Sequence, residues 1–178
     1  VELNFIDNSG WLKLIRMSPN AAGQILLKDS SFTNNAVDEG YVFWLESSIQ
    51  AGNLTIENCT FTSNNGVVFV DSKATVEFNG NVVENNAVSM LASIVIIQGN
   101  GPESSFLAAD NTFVVNGVEE GCSSVFSING MQNQVSIYNT MVTEFPATVS
   151  HNIFQFNNLL APVLVSGVSV TNSTSSHL

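Results

Sequence analysis

Paired acidic residues beside glycine are the first place where this chain could do chemistry. Asp38-Glu39 and Glu119-Glu120 lie in two segments of matching form, Asn35-Ala36-Val37-Asp38-Glu39-Gly40 and Asn116-Gly117-Val118-Glu119-Glu120-Gly121. Two carboxylates at close range can divide general acid and general base work, or fold around a hard cation. Each loop supplies only two of them, short of the about 6–8 oxygens that calcium takes, so a solvated acidic turn is expected. His177 is penultimate in a Ser/Thr-rich tail, and His151 has no Ser or Cys partner at a characteristic spacing. The sequence contains no metal-ligand cysteine spacing and no Gly-rich phosphate loop. Trp11 and Trp44 could form a platform for sugar rings, although buried stacking across adjacent repeats is the plainer expectation. The sequons Asn53-Leu54-Thr55, Asn58-Cys59-Thr60 and Asn172-Ser173-Thr174 make Asn53, Asn58 and Asn172 candidate glycosylation sites.

The elements that would position these groups are announced by a recurring phrase, apolar-x-apolar-x-x-small polar-x-apolar-x-x-Asn. Its copies are Ile25-x-Leu27-x-x-Ser30-x-Phe32-x-x-Asn35, Leu54-x-Ile56-x-x-Cys59-x-Phe61-x-x-Asn64, Val76-x-Phe78-x-x-Asn81-x-Val83-x-x-Asn86 and Phe106-x-Ala108-x-x-Asn111-x-Phe113-x-x-Asn116. A further copy begins at Val135, and degenerate ones run from Phe5 to Asn8 and through Val168-x-Val170-x-x-Ser173, making about seven turns. The alternation within each phrase is the period of a strand with one buried face. A second strand-like run rich in β-branched and aromatic residues follows each Asn, at residues 12–15, 41–45, 67–70, 93–97, 125–128 and 153–156. The copies are spaced unevenly, which suits a β-helix, whose turn loops tolerate insertion, better than a strictly periodic solenoid.

The small polar place in the phrase reads Ser30, Cys59, Asn81, Asn111, Thr140 and Ser173. Such side chains stacked at one bend can hydrogen-bond from rung to rung, so this ladder is read as architecture. Cys59 and Cys122 fall two rungs apart in this register, roughly 9.6 Å, beyond the roughly 7 Å that disulfide Cα atoms span. Two buried free thiols are therefore expected.

Composition narrows the function. The chain has 178 residues, 44% of them hydrophobic and only 11% charged, with 4 Lys and Arg against 15 Asp and Glu and a formal charge of −11. A surface this acidic repels phosphate backbones and anionic lipid headgroups, so neither nucleic acid nor a membrane surface is an expected partner. Apolar runs such as Ile94-Val95-Ile96-Ile97 are too short to cross a bilayer. The chain opens at Val1 inside what reads as a repeat, which suggests a single β-helix domain over residues 1–178 cut from a longer solenoid or fibre.

The Phe-x-x-Asn steps at Phe5-Asn8, Phe32-Asn35, Phe61-Asn64 and Phe113-Asn116 resemble the repeats of chlamydial polymorphic membrane proteins and related surface adhesins. On these repeats the chain is identified as a member of the right-handed parallel β-helix (pectin-lyase-like) superfamily. The Gly-Gly-Ala element that accompanies the step in those adhesins is absent. The resemblance implies an all-β, right-handed parallel β-helix of about seven rungs. It also says what enzymes of the superfamily would need. Its uronate lyases join a calcium-holding carboxylate cluster to a basic residue, whereas here Lys13 and Arg16, at an odd spacing, fall on opposite strand faces. Its hydrolases need carboxylates converging across adjacent rungs. The two acidic loops lie three rungs apart, roughly 14 Å, against the about 6.5–9.5 Å of an inverting glycosidase.

The expected function is a non-enzymatic extracellular or cell-surface module, structural or adhesive, without a cofactor. Bare strand edges at each end of a β-helix call for partners there, either further repeats of the same polypeptide or other copies end to end. Glycans are a further expected contact. The alternative is a carbohydrate-binding or carbohydrate-active β-helix.

Overall fold

The computed structural model describes residues 4–6, 9–11, 15–17, 24–37, 41–46, 53–73, 75–86, 93–114, 124–144 and 152–172. Strands joined by turns, bends and short irregular links make them up, with no helix among the described residues. Alternation makes the strands. In Thr75–Asn79, Val76 and Phe78 are buried while Thr75, Glu77 and Asn79 are half-exposed, the two-residue period of a strand with one face inward.

Each phrase is two strands with a bend between them, as in Leu54–Glu57 followed by Thr60–Thr62. A turn of the chain therefore holds three strands, one more than the two strand-like pieces expected. The bend arises from left-handed backbone at the residue before the small polar one, with φ of 50° at Asp29, 53° at Asn58, 57° at Asp110 and 46° at Asn139. Asp and Asn accept that conformation better than other L-residues. Gly80 takes the same place at φ 64°, where an added Cβ would lie 2.7 Å from Asn58 Oδ1.

Stacking of successive turns builds three parallel sheets of seven, six and six strands. Sheet one holds Asn4–Ile6, Ser31–Thr33, Thr60–Thr62, Val82–Glu84, Thr112–Val114, Met141–Thr143 and Ser169–Thr171. Sheet two holds Ile15–Met17, Phe43–Glu46, Val68–Ser72, Val95–Gly99, Ser124–Asn129 and Asn152–Asn157. Sheet three holds Ile25–Lys28, Leu54–Glu57, Thr75–Asn79, Ser105–Ala109, Gln134–Tyr138 and Val163–Ser166. The described residues thus make six complete turns and the opening strand of another. A separate two-stranded sheet pairs Ser9–Trp11 with Ala36–Val37.

The first apolar places stack as the phrase requires, Ile25 on Leu54, Leu54 on Val76, Val76 on Phe106 and Phe106 on Val135. The last copy is the exception. Strand pairing sets Val163 and Val165 opposite Val135 and Ile137, and Val170 opposite Val142. The phrase therefore restarts at Val163, and Val168 stands at the bend where Thr140 stands one turn earlier. The ladder call at Ser173 lies outside the described residues. The run Val163–Val170 satisfies apolar alternation in more than one register, and backbone bonds such as Ser169 N–H to Thr140 O, 3.0 Å, select one.

Inward columns form one continuous core. Phe32 and Phe61 stack with ring centroids 5.0 Å apart, and Phe126 meets Phe113 edge-on at 5.1 Å. Among the described residues the buried core is fully developed through the middle four turns.

Candidate functional site

The polar groups inside the rod are committed to holding its turns together. Ser30, Cys59, Asn81, Asn111 and Thr140 occupy one column at the bend from sheet three to sheet one, and all five are buried. Asn81 clamps two neighbouring turns. Its Oδ1 accepts from Cys59 N–H at 2.9 Å, its Nδ2 donates to Ile56 O at 3.0 Å, and its N–H donates to Asn111 Oδ1 at 3.0 Å. Asn111 Nδ2 continues to Phe78 O at 2.7 Å. The hydroxyls bond within their own turn, Ser30 to Lys28 O at 2.8 Å and Thr140 to Tyr138 O at 3.0 Å.

A second ladder stands at the next bend and was missed as a ladder in the sequence, although its residues close the phrase. Asn35 N–H donates to Asn64 Oδ1 at 3.0 Å and Asn64 N–H to Asn86 Oδ1 at 2.9 Å. The amide nitrogens of Asn64 and Asn86 reach Phe32 O at 2.9 Å and Phe61 O at 2.7 Å. Their constant offset from the apolar places was the available signal. Among the described residues no buried side-chain nitrogen or oxygen lacks a partner. Buried amides are costly unless paired, so these columns specify register as well as support it.

Cys59 belongs to this frame and forms no disulfide. Its Sγ sits 3.3 Å from Glu57 O and 3.8 Å from Leu27 O. Burial pushes its thiol above the ordinary value, with hydrogen bonding from Ser30 and Glu57 offsetting part of the rise. It is therefore a poor nucleophile. Cys122, His151, His177 and the paired acids Asp38-Glu39 and Glu119-Glu120 lie outside the described residues.

The outward faces hold the remaining candidates. Trp44 stacks on Phe69 of the next turn, with centroids 4.1 Å apart and planes at 19°, and Tyr41 tilts against both at 6.0 and 5.9 Å. Phe69 is thus an aromatic partner of Trp44 across turns; Trp11 contributes its backbone to the two-stranded sheet, and its side chain lies outside the described set. Two rings stacked this closely cover each other's facing surfaces, which removes those faces from sugar stacking.

Next to this pair the register brings together two carboxylate positions that sequence distance hides. Asp71 stands directly opposite Glu46 on the turn before and Gln98 on the turn after. Asp71 Oδ1 also accepts a hydrogen bond from Asn100 Nδ2. Other described acids contact polar or basic groups, as Glu77 does with Thr55 at 3.3 Å and Asp29 with Lys28 at 3.3 Å. A shallow groove of about 360 Å³ on sheet three is neutral, lined by Thr75, Ser105, Gln134, Ser136 and Tyr138 over Leu107. Among the described residues no cluster of three or more His, Cys, Asp or Glu is disposed to hold a metal ion.

The three sequon asparagines, Asn53, Asn58 and Asn172, are all exposed. Asn58 Nδ2 lies a long 3.5 Å from Asp29 Oδ1, so its amide is loosely held. No helix among the described residues is long and apolar enough to cross a membrane. One family model, described as a right-handed beta helix region, matches residues 5–113. No curated protein and no solved structure matches the chain.

Proposed function

Because the chain belongs to the right-handed β-helix family, we propose that it serves as a non-enzymatic extracellular module, structural or adhesive, in a longer solenoid or fibre. The observation that carries this reading is the pair of amide ladders. The buried asparagines of the described turns hold one turn to the next, which makes a stiff rod. Three exposed sequons support an extracellular setting, and the resemblance to surface adhesins points the same way. End-to-end contact with further repeats or other copies is part of the proposal.

Incubation with uronic-acid and neutral polysaccharides tests it. No new reducing ends or unsaturated products are expected, and turnover of any substrate would overturn it. The setting is tested by intact mass of protein from its native source before and after deglycosylation, with loss of mass expected.

The second reading, a carbohydrate-active or carbohydrate-binding β-helix, draws on the backbone register that sets Asp71 opposite position 46, a glutamate, on the sheet that carries Trp44. Under this reading Glu46→Gln and Asp71→Asn would each abolish a measured cleavage while leaving the fold intact.

A further inference from the structure

The neutral groove lies on the outward face of sheet three, across Thr75–Asn79, Ser105–Ala109 and Gln134–Tyr138. Their register sets Thr75 beside Ser105 and Ser105 beside Gln134, with Leu107 beside Ser136 and Ala109 beside Tyr138. A described strand flanks the group on each side, Leu54–Glu57 and Val163–Ser166, so the groove belongs to the interior of the sheet. Its relief comes from residue size, because serines and an alanine stand next to Leu107 and Tyr138. Its volume, about 360 Å³, is at the lower end of the about 300–1,000 Å³ of small-molecule sites.

Ser136 is the telling residue. Alternation turns it outward between the core residues Val135 and Ile137, yet it is only 3% exposed. An outward serine sunk this far is part of a floor. Its Oγ accepts from Gln134 Nε2 at 2.8 Å, and its own hydrogen has no acceptor among the described residues. Thr75 and Ser105 share one hydrogen bond of 2.9 Å, which leaves one of their two hydroxyl hydrogens available. Tyr138 adds a half-exposed ring and a hydroxyl without a partner among the described residues.

Elimination fixes the ligand class. The lining holds no charged side chain, so neither a cation nor an anion meets a counter-charge, and the formal −11 repels anions. Glu77, opposite Leu107, bonds instead to Thr55 on the turn before, at 3.3 Å. A peptide added as a strand needs unpaired backbone, and these three strands are paired on both sides. A neutral ligand with an apolar face and a hydroxyl edge remains. A pyranose has both, its C–H face suited to Leu107 and the Tyr138 ring, its hydroxyls to Ser136, Gln134 and the Thr75–Ser105 pair.

We propose that this groove binds a neutral sugar ring of a glycan, without covalent chemistry. The inference rests on the module reading in its adhesive form and supplies that reading with a ligand class. It uses a different face from the one that carries Trp44 and Asp71.

Amide chemical shifts of the isotope-labelled 178-residue chain test it. The probes are neutral oligosaccharides of glucose, mannose, galactose and N-acetylglucosamine, with galacturonate oligomers as the charged counterpart. Saturable shifts at Ser105, Leu107, Gln134, Ser136 and Tyr138 are expected with at least one neutral probe and with no galacturonate. Tyr138→Ala should weaken that binding about tenfold and Ser136→Ala about fivefold. Thr62→Ala, outward on sheet one, should leave it unchanged. Far-UV circular dichroism of all three variants should match the parent. No saturable shift with any probe, shifts confined to the other sheets, equal affinity for galacturonate, or full affinity in both groove variants would each overturn the proposal. Those outcomes leave the non-enzymatic reading standing. Cleavage of a probe in the same samples would overturn that reading and leave the groove contacts in place.

Discussion

The strands Gln134–Tyr138 and Val163–Ser166 carry the same inward pattern and have opposite surroundings. Val135 and Ile137 are fully buried, while Val163 and Val165, directly opposite them, are 43% and 40% exposed. The residue types are nearly the same, so the difference comes from having a neighbouring turn on both sides rather than one. In a solenoid, apolar burial belongs to the interface between turns, and stability sums over those interfaces. A middle turn is held twice and the last described turn once.

The largest effect expected is at the most enclosed place. Phe61→Asp removes a ring stacked on Phe32 at 5.0 Å and on Phe78 at 6.4 Å and leaves a carboxylate among them. It should cost more than about 4 kcal/mol and melt the middle turns in a chemical denaturation series. The comparison itself is sharpened by a matched pair. Ile137→Ala should cost about 3 kcal/mol and Val165→Ala less than about 1 kcal/mol, because only the former opens a cavity. Equal losses would mean that the last described turn is covered in solution.

Asn81→Ala should cost about 2 kcal/mol, since it strands Cys59 N–H and Ile56 O and takes one of two donors from Asn111 Oδ1. Cys59 adds a pH dependence of known sign. Its thiol is raised by burial, so the unfolded chain ionises first and stability should fall as pH rises past the ordinary thiol value near about 8.5. The Cys59→Ala variant should lose that component of the slope in denaturation midpoints taken across alkaline pH. The smallest effect belongs to the outward face. Glu57→Lys, half-exposed and opposite Lys28, should change stability by less than about 0.5 kcal/mol, with a slight loss from the new like-charge neighbour. A severe loss there would break the register.

Much of the frame was legible in the residues. Alternation named the inward side chains, and five members of the small polar ladder are where the phrase puts them. The left-handed residue at the bend was legible too, in the Asp, Asn or Gly before each ladder place, but went unread. Less was legible at the surface. Trp44 meets Phe69, and Asp71 comes opposite position 46 of the sheet, only because turns of unequal length bring those places into register.

By itself the amino-acid order determines a repeating turn with one apolar side and small or amide residues at its bends, since side-chain alternation and left-handed preference are local properties. Pairing between turns decides the rest. It assigns Val163 rather than Val168 to the start of the last described phrase, puts Val168 at the bend, and leaves Val165 exposed while Leu27 is buried. Those outcomes depend on which backbone donor meets which carbonyl one turn away, and intervening loops of variable length keep that distance out of the local pattern.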